Sequence, residues 1–361
     1  GVWIMAYTTI DDPSAYFKIQ LYTGNSSTNA QTFADTDTDM QPDMVYIKQR
    51  SVAGHETGIF DAVRGTSKDL NGNSNSAEGT QSGLTAFGSD GFTLGSANDF
   101  NYNNYTYVAW CWKAGGGSGS SNEAGSINTT STSVNTTSKF SISAYTGNDT
   151  AGATIGHGLG AVPHFVMVKC RSHAQHWAVY HHKNTSAPET DFLILSTDAA
   201  TADSVNRWND TAPSSTLITF GQENQINGPS YTYAAYAWSE VQGFSKFGSY
   251  VGNGNANGPF IYTGFRPAFI MTKKTDATNS WNMLDSTRDT ANPLDNLLWA
   301  NVTDAEDGYS STATARYDFL SNGFKCVTDG SAFNTSGSTY IYMAFAEAPF
   351  VNSNGVPCNA R

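Results

Sequence analysis

"YTYVAWCWKAG" (105–115), "YTYAAYAWSEVQG" (231–243) and "STYIYMAFAEAPF" (338–350) are one apolar, aromatic strand written three times in a single chain. In the first copy Tyr107, Ala109 and Cys111 alternate with Val108, Trp110 and Trp112. Successive side chains of a strand point to opposite faces. Neither set is polar, so both faces are expected to be covered. The small residues of one face leave room for a close neighbour, and the aromatics of the other bring a large buried area. The third copy breaks the pattern at Glu347, where the strand is expected to emerge.

Four further landmarks recur in the same order. A strand ending in Gly-Asn reads "AYFKIQLYTGN" (15–25), "SKFSISAYTGN" (138–148) and "SKFGSYVGN" (245–253). A proline then opens a β-rich run: "QPDMVYIKQR" (41–50), "VPHFVMVKCR" (162–171) and "RPAFIMTKKT" (266–275). "TGIFDAVRG" (57–65), "HWAVYHHKN" (176–184) and "SWNMLDSTRD" (280–289) follow. The fourth is "FGSDGFTLGS" (87–96), weakly "STLITFGQ" (215–222), and "FLSNGFKCVTDG" (319–330). The spacing is too long and too uneven for a solenoid, so each unit is read as a domain able to bury its own core. The Gly and Asn of "YTGN" and "SNGF" are read as turn residues with positive φ, and the prolines as strand starts.

The expected fold is all-β: three tandem related β-sandwich units, jelly-roll or lectin-like. The first, with an N-terminal segment, covers 1–114, the second 138–243, and the third, with a C-terminal tail, 244–361. "AGGGSGSSNEAGSINTTSTSVNTTS" (114–138) has almost no large apolar residue. Its 115–137 portion reads as a flexible or extended linker. The junction "SEVQGF" (239–244) is short, so the second and third units are expected to be rigidly related and the first more independent. "SAEGTQSGLTAF" (76–87) and "TRDTANPLDNLLWA" (287–300) are expected to hold at most a turn or two of helix.

Composition narrows the function classes. The net charge is −12 without a basic run, whereas wrapping a phosphate backbone requires clustered Lys and Arg. Nucleic-acid binding is not expected. No stretch of apolar residues is long enough for a membrane span, so no insertion is expected. The four cysteines, Cys111, Cys170, Cys326 and Cys358, fit no zinc module and are expected to be free thiols. "GVWI" is too short for a signal peptide, and Met5 reads as a natural start.

Six of the seven histidines fall between His157 and His182, but their spacing contains neither HxH nor HExxH. No metal and no cofactor is expected. Asp61 and Arg64 recur as Asp285 and Arg288, while the middle unit has His181 in place of the Asp. This reads as a structural ion pair at a strand end, since an active site is not normally duplicated and then abandoned. No GxSxG motif appears, and no helix follows the Gly-rich "GNGNANGP" or "GHGLG" to hold a phosphate. No catalytic residue is assigned, and the chain is not read as an enzyme. Trp208, Asn209 and Asp210 in "RWNDTAP", and Trp299 in "LLWANVTDAEDGYS", are the candidate ligand-binding residues, because a ring plane beside Asn and Asp suits sugar recognition. The alternative is that each Trp caps its own core.

The set "YTGN", "GATIGHGLG", "FVMVK", "WNDTAP", "GFRPAF", "FLSNGFK" and "YIYMAFAEAPF" resembles an uncharacterised family of tail-fibre or virion structural proteins of tailed, mostly marine, bacteriophages. "TTIDDPSAYF" fits the same family, so the resemblance runs from about Ala6 to Arg361. It implies a virion surface protein assembled in the host cytoplasm. Its partners would be other virion proteins, other copies of itself in a trimer, and a host surface glycan or envelope protein. The expected role is that of a tail fibre or receptor-binding adhesin. The alternatives are a head-fibre, decoration or tail scaffold protein, a polysaccharide depolymerase, and a bacterial surface lectin.

Overall fold

The computed structural model of the chain describes residues 6–33, 38–308 and 316–358; Met5, read as a natural start, lies outside them. The fold is all-β, with three large antiparallel sheets that share one strand order. In the first unit the order is Phe17–Thr23, Thr106–Trp112, Met44–Gln49, Gly58–Asp61, Lys68–Asn71 and Gly79–Thr80. The second unit repeats it with Phe140–Thr146, Thr232–Trp238, Phe165–Cys170, Ala178–His181, Asp191–Ile194 and Ala202–Asp203. The third runs Ser245–Val251, Thr339–Pro349, Phe265–Lys274, Asn282–Asp285, Asn296–Trp299 and Asp307–Gly308. A smaller sheet of two or three strands accompanies each large one.

The closing strands explain why their sequence was written three times. Tyr107, Ala109 and Cys111 belong to a core within the first unit, together with Phe60, Phe92 and Leu94. Val108, Trp110 and Trp112 face the other way, into a core shared with Phe140, Met167 and Trp238 of the second unit and Phe247, Met271 and Phe345 of the third. Tyr233 and Ala235 oppose Tyr236 and Trp238 in the same manner. So do Tyr340 and Tyr342 against Met343 and Phe345. The units are therefore not self-contained: each has a private core, and all three large sheets bury their other faces against one another. At roughly 25 cal/mol per Å² of apolar surface, a shared aromatic core of this kind couples the units strongly.

The contacts between units close a ring. Lys48, Lys169 and Lys273 hold equivalent positions and are buried. Lys48 Nζ donates to Val302 O of the third unit at 2.7 Å, Lys169 Nζ to Ser76 O of the first at 2.7 Å, and Lys273 Nζ to Asp198 O of the second at 3.1 Å. Burial lowers all three ammonium groups to about 8. Two residues further on, Arg50 O accepts from Glu306 N, Arg171 O from Glu78 N, and Thr275 O from Thr201 N, each at 2.8 Å. Each unit thus reaches to its neighbour in the same sense, as a pseudo-threefold arrangement requires. The first unit is tied to both others, contrary to the independence its long linker suggested.

One corner is also built three times. Tyr22 stacks on Tyr107, Tyr145 on Tyr233 and Tyr250 on Tyr340, with ring centroids about 5 Å apart in each pair. Asn101, Asn227 and Asn334 are fully buried beneath these pairs. Asn227 Oδ1 accepts from Asn148 N at 3.0 Å, while its Nδ2 donates to Gly221 O and Thr150 O. The glycine of "YTGN" is required for close approach rather than for positive φ: a Cβ on Gly24, Gly147 or Gly252 would lie 2.2–2.4 Å from a backbone oxygen. Gly323 of "SNGF" is the same case, with a Cβ 2.1 Å from Ile261 O, so neither turn uses the positive φ expected of it.

Two other expectations change. The 115–137 stretch is not a free connector, because Ser131–Asn135 pairs with Phe140–Thr146 as an edge strand of the second sheet. Its start is pinned by the Asp43 carboxylate, which accepts from Ala114 N at 2.7 Å, Gly116 N at 2.9 Å and Gly117 N at 2.8 Å. The segments expected to hold at most a turn or two of helix contain the strands Leu84–Gly88 and Asn296–Trp299, within that limit; four-residue helices form at Asn98–Asn101, Val205–Trp208 and Ser331–Asn334. Pro42 and Pro163 precede strands as expected, whereas Pro267 sits inside one, at a register irregularity that accommodates its missing N–H. Cys111, Cys170 and Cys326 are buried free thiols, and Cys358 is exposed and free.

Candidate functional site at the boundary of the second and third units

Two of the three boundaries carry the same buried charge chain. Between the first and second units, Asp61 Oδ2 accepts from Arg64 Nε at 2.5 Å and from the Tyr236 hydroxyl at 2.6 Å. Arg64 Nη1 continues to Glu78 Oε2 at 3.1 Å, and Glu78 is held in a fork by Arg171 at 2.8 and 3.0 Å. Between the third and first units, Asp285 Oδ2 accepts from Arg288 Nε at 2.6 Å and from Trp110 Nε1 at 3.1 Å. Arg288 reaches Glu306 at 2.9 Å, and Arg50 forks onto Glu306 with both bonds at 2.8 Å. Burial pushes the carboxyls of Glu78 and Glu306 upward, but the two guanidiniums around each outweigh it and hold both below their ordinary value. The recurring Asp and Arg read as a structural pair are thus the inner half of a chain linking two units.

At the third boundary the equivalent positions carry none of those charges. Register places His181 where Asp61 and Asp285 stand, and Asn184 where Arg64 and Arg288 stand. Thr201 takes the place of Glu78 and Glu306, each immediately before the last strand of its sheet. Thr275 takes the place of Arg50 and Arg171. On the facing strand, Met343 stands where Trp110 and Tyr236 donate. Acceptor and donor differ together: where the other boundaries bury an aspartate and a Tyr or Trp donor, this one sets His181 opposite the position of Met343.

Histidines hold this boundary in their neutral form. His181 Nε2 donates to Tyr342 O at 3.1 Å, and its Nδ1 accepts from Lys183 N at 3.0 Å. A second proton would oppose that N–H, and burial with the nearby His182 holds the ring at about 3. His182 Nε2 donates to Phe247 O at 2.8 Å, and burial lowers this ring to about 4. His164 packs 4.4 Å from His182, accepts from Glu240 N, and is likewise lowered by burial. Three of the six clustered histidines thus belong to this interface, while His157, His173 and His176 contact Ser214, Tyr231 and Ser196 within the second unit. Among the described residues, no group of three His, Cys, Asp or Glu is gathered in a metal-binding arrangement.

Where the side chains have shortened, space opens. A cleft of about 600 Å³ is lined by Lys183, Asn184, Thr185, Ser186, Ala200, Thr201, Ser249, Val251, Thr275, Asp276 and Thr339. Asn184, Thr201 and Thr275 among them are the positions that elsewhere hold Arg, Glu and Arg. The volume lies within the ~300–1,000 Å³ of small-ligand pockets. Thr201 Oγ1 donates to Asn184 Oδ1 at 2.7 Å, and Thr275 Oγ1 to Thr339 O at 3.3 Å, which fixes the walls.

The residues singled out in the sequence lie elsewhere and are not brought together. Trp208 is 1 % exposed, packed against Tyr180 and Phe220 in the private core of the second unit, so its ring offers no platform to a ligand. Asn209 and Asp210 follow it with positive φ, as a turn off a four-residue helix. Trp299 is half-buried against the private core of the third unit. Asn184, Thr201 and Thr275 are uncharged polar residues that belong to no motif. Only an alignment of the chain's own three units, with attention to Glu78, Thr201 and Glu306, would have found them.

A family profile described as a domain of unknown function (DUF7483) matches residues 12–349. No curated protein and no solved structure matches the chain.

Proposed function

The chain belongs to the DUF7483 family, and we propose that it is a non-catalytic virion surface protein of a tailed phage, acting as a receptor-binding adhesin. The observation that carries the binding part is the cleft at the third boundary. A rigid body sealed by charge chains at two of its boundaries presents a polar, open recess at the corresponding place in the third. The likeness of its motifs to virion proteins supplies the setting. The partners in this reading are a component of the host cell surface, other virion proteins, and other copies of the chain. The pseudo-threefold core brings three related faces together within one chain.

The test is binding of the purified protein to intact candidate host cells, with and without removal of surface polysaccharide, with released sugar assayed alongside. Saturable binding without sugar release is expected. Release of sugar would make the protein a depolymerase, and absence of binding to every host tested would leave a head-surface, decoration or tail scaffold role.

A further inference from the structure

We propose that the cleft between the second and third units is a saccharide site selective for uncharged, polyhydroxylated chains; this deepens the adhesin reading and rests on it. The first argument is the pattern of loss. The same four positions hold a buried Asp–Arg–Glu–Arg chain at two boundaries and His181, Asn184, Thr201 and Thr275 at the third. An unfilled recess forfeits packing contacts, so shortening confined to the outer end leaves the buried part of the boundary packed. Here the interior remains sealed by His181 and His182, and only the outer end has been cleared.

The second argument is the chemistry of the walls. Ser186, Ser249 and Thr339 present hydroxyls able to donate and to accept, as sugar hydroxyls do, while Thr201 and Thr275, whose protons go to Asn184 Oδ1 and Thr339 O, offer acceptor oxygens. Asn184 gives its carbonyl oxygen to Thr201, so its amide N–H groups are the donors it can turn to a ligand. Lys183 and Asp276 are one cation and one anion on the rim, both exposed, so the cleft carries no net charge to select an acidic or a basic partner. Val251, 57 % exposed, gives an aliphatic surface for the C–H face of a ring. No helix terminus or cluster of cations is present to favour a phosphate or sulfate over a neutral group.

The experiment measures binding of neutral oligosaccharides (mannan, dextran and galactan fragments) and of acidic ones (uronate-containing and sulfated fragments) by calorimetry and by shift in Tm. Two proteins are compared, wild type and the double variant Thr201→Glu/Thr275→Arg, which restores at this boundary the Glu–Arg pair of the other two. The variant is expected to fold with an equal or higher Tm and to bind the neutral fragments at least tenfold more weakly. Val162→Arg, at an exposed site away from the cleft, is expected to bind as wild type. Neutral fragments that bind the double variant unchanged would overturn the site, and acidic fragments that alone bind would overturn the selectivity. Host cells bound by a protein that binds no oligosaccharide would overturn this inference while leaving the adhesin reading intact. Loss of cell binding altogether would remove the reading on which it rests.

Discussion

The Tyr236 hydroxyl donates to the Asp61 carboxylate at 2.6 Å across the boundary of the second and first units, 175 residues apart in sequence. Asp61 is fully buried and also holds Arg64, so one oxygen fastens both its own turn and its neighbour's closing strand. A hydrogen bond to a charged group is worth roughly 1.5–3 kcal/mol. Tyr236→Phe is expected to lower the unfolding free energy by that amount, measured by urea denaturation. Asp61→Ala, which strands a buried guanidinium, is expected to cost about 3–5 kcal/mol. A double-mutant cycle in which the two losses simply add would contradict the coupling.

Acid is expected to weaken the third boundary before the other two. His181 has its ring held at about 3 against an ordinary 6.5. The unfolded chain therefore binds a proton that the folded chain refuses, so stability is complete above 6.5 and falls as the pH drops from 6.5 toward 3. At pH 5 the loss for this residue is about 2 kcal/mol relative to pH 7. Glu78 and Glu306 are shifted below their ordinary 4.5, so their contribution is present above 4.5 and lost only in stronger acid. Urea midpoints at pH 7 and pH 5 test this. His181→Gln, which retains a donor for Tyr342 O, should reduce the difference, with His182, held at about 4, supplying much of the remainder.

Gly147→Ala is expected to be far more damaging than Gly65→Ala, although only Gly65 has positive φ. A methyl on Gly147 meets the backbone oxygen of Gly228 at 2.4 Å, while one on Gly65 meets nothing within 4 Å. Overpacking against backbone costs about 1–3 kcal/mol or more, against roughly 1–2 kcal/mol for an αL alanine, and a 2.4 Å approach to an immobile backbone oxygen lies at the upper end of the first range. Thermal unfolding of the two variants ranks them, and the reverse order would show that conformation rather than proximity chose glycine at Gly147.

Asn227→Ala removes two donated bonds and one accepted bond at a fully buried position. Each unsatisfied buried partner costs about 1–3 kcal/mol, so a loss of at least 2 kcal/mol is expected. Asn101→Ala and Asn334→Ala are expected to behave alike, since the corner is repeated. A loss below 0.5 kcal/mol at any of the three would remove the corner from the account of stability.

Asp43→Ala is expected to release the start of the 114–119 segment, because its carboxylate gathers the N–H groups of Ala114, Gly116 and Gly117. Limited proteolysis should then cut there in the variant and spare it in the wild type. Equal cleavage of both proteins would show that the segment is held by other means.

The sequence alone determined the threefold recurrence of the strand landmarks and the two-faced character of the closing strands. Those features are set by alternation and by neighbours along the chain, and both are visible in Tyr107, Val108 and Ala109 as letters. It also exposed the exchange of Asp for His181. It did not show that the aromatic faces of three units meet in one core, because what covers a face is decided by partners more than a hundred residues away. Nor did it show the cleft. Asn184, Thr201 and Thr275 are unremarked polar residues until the fold sets them where Arg64, Glu78 and Arg171 stand at a neighbouring boundary. The tertiary structure decided the site because a recess is defined by side chains that are too short to fill it, and that shortness has meaning only against the longer side chains that fill the equivalent places.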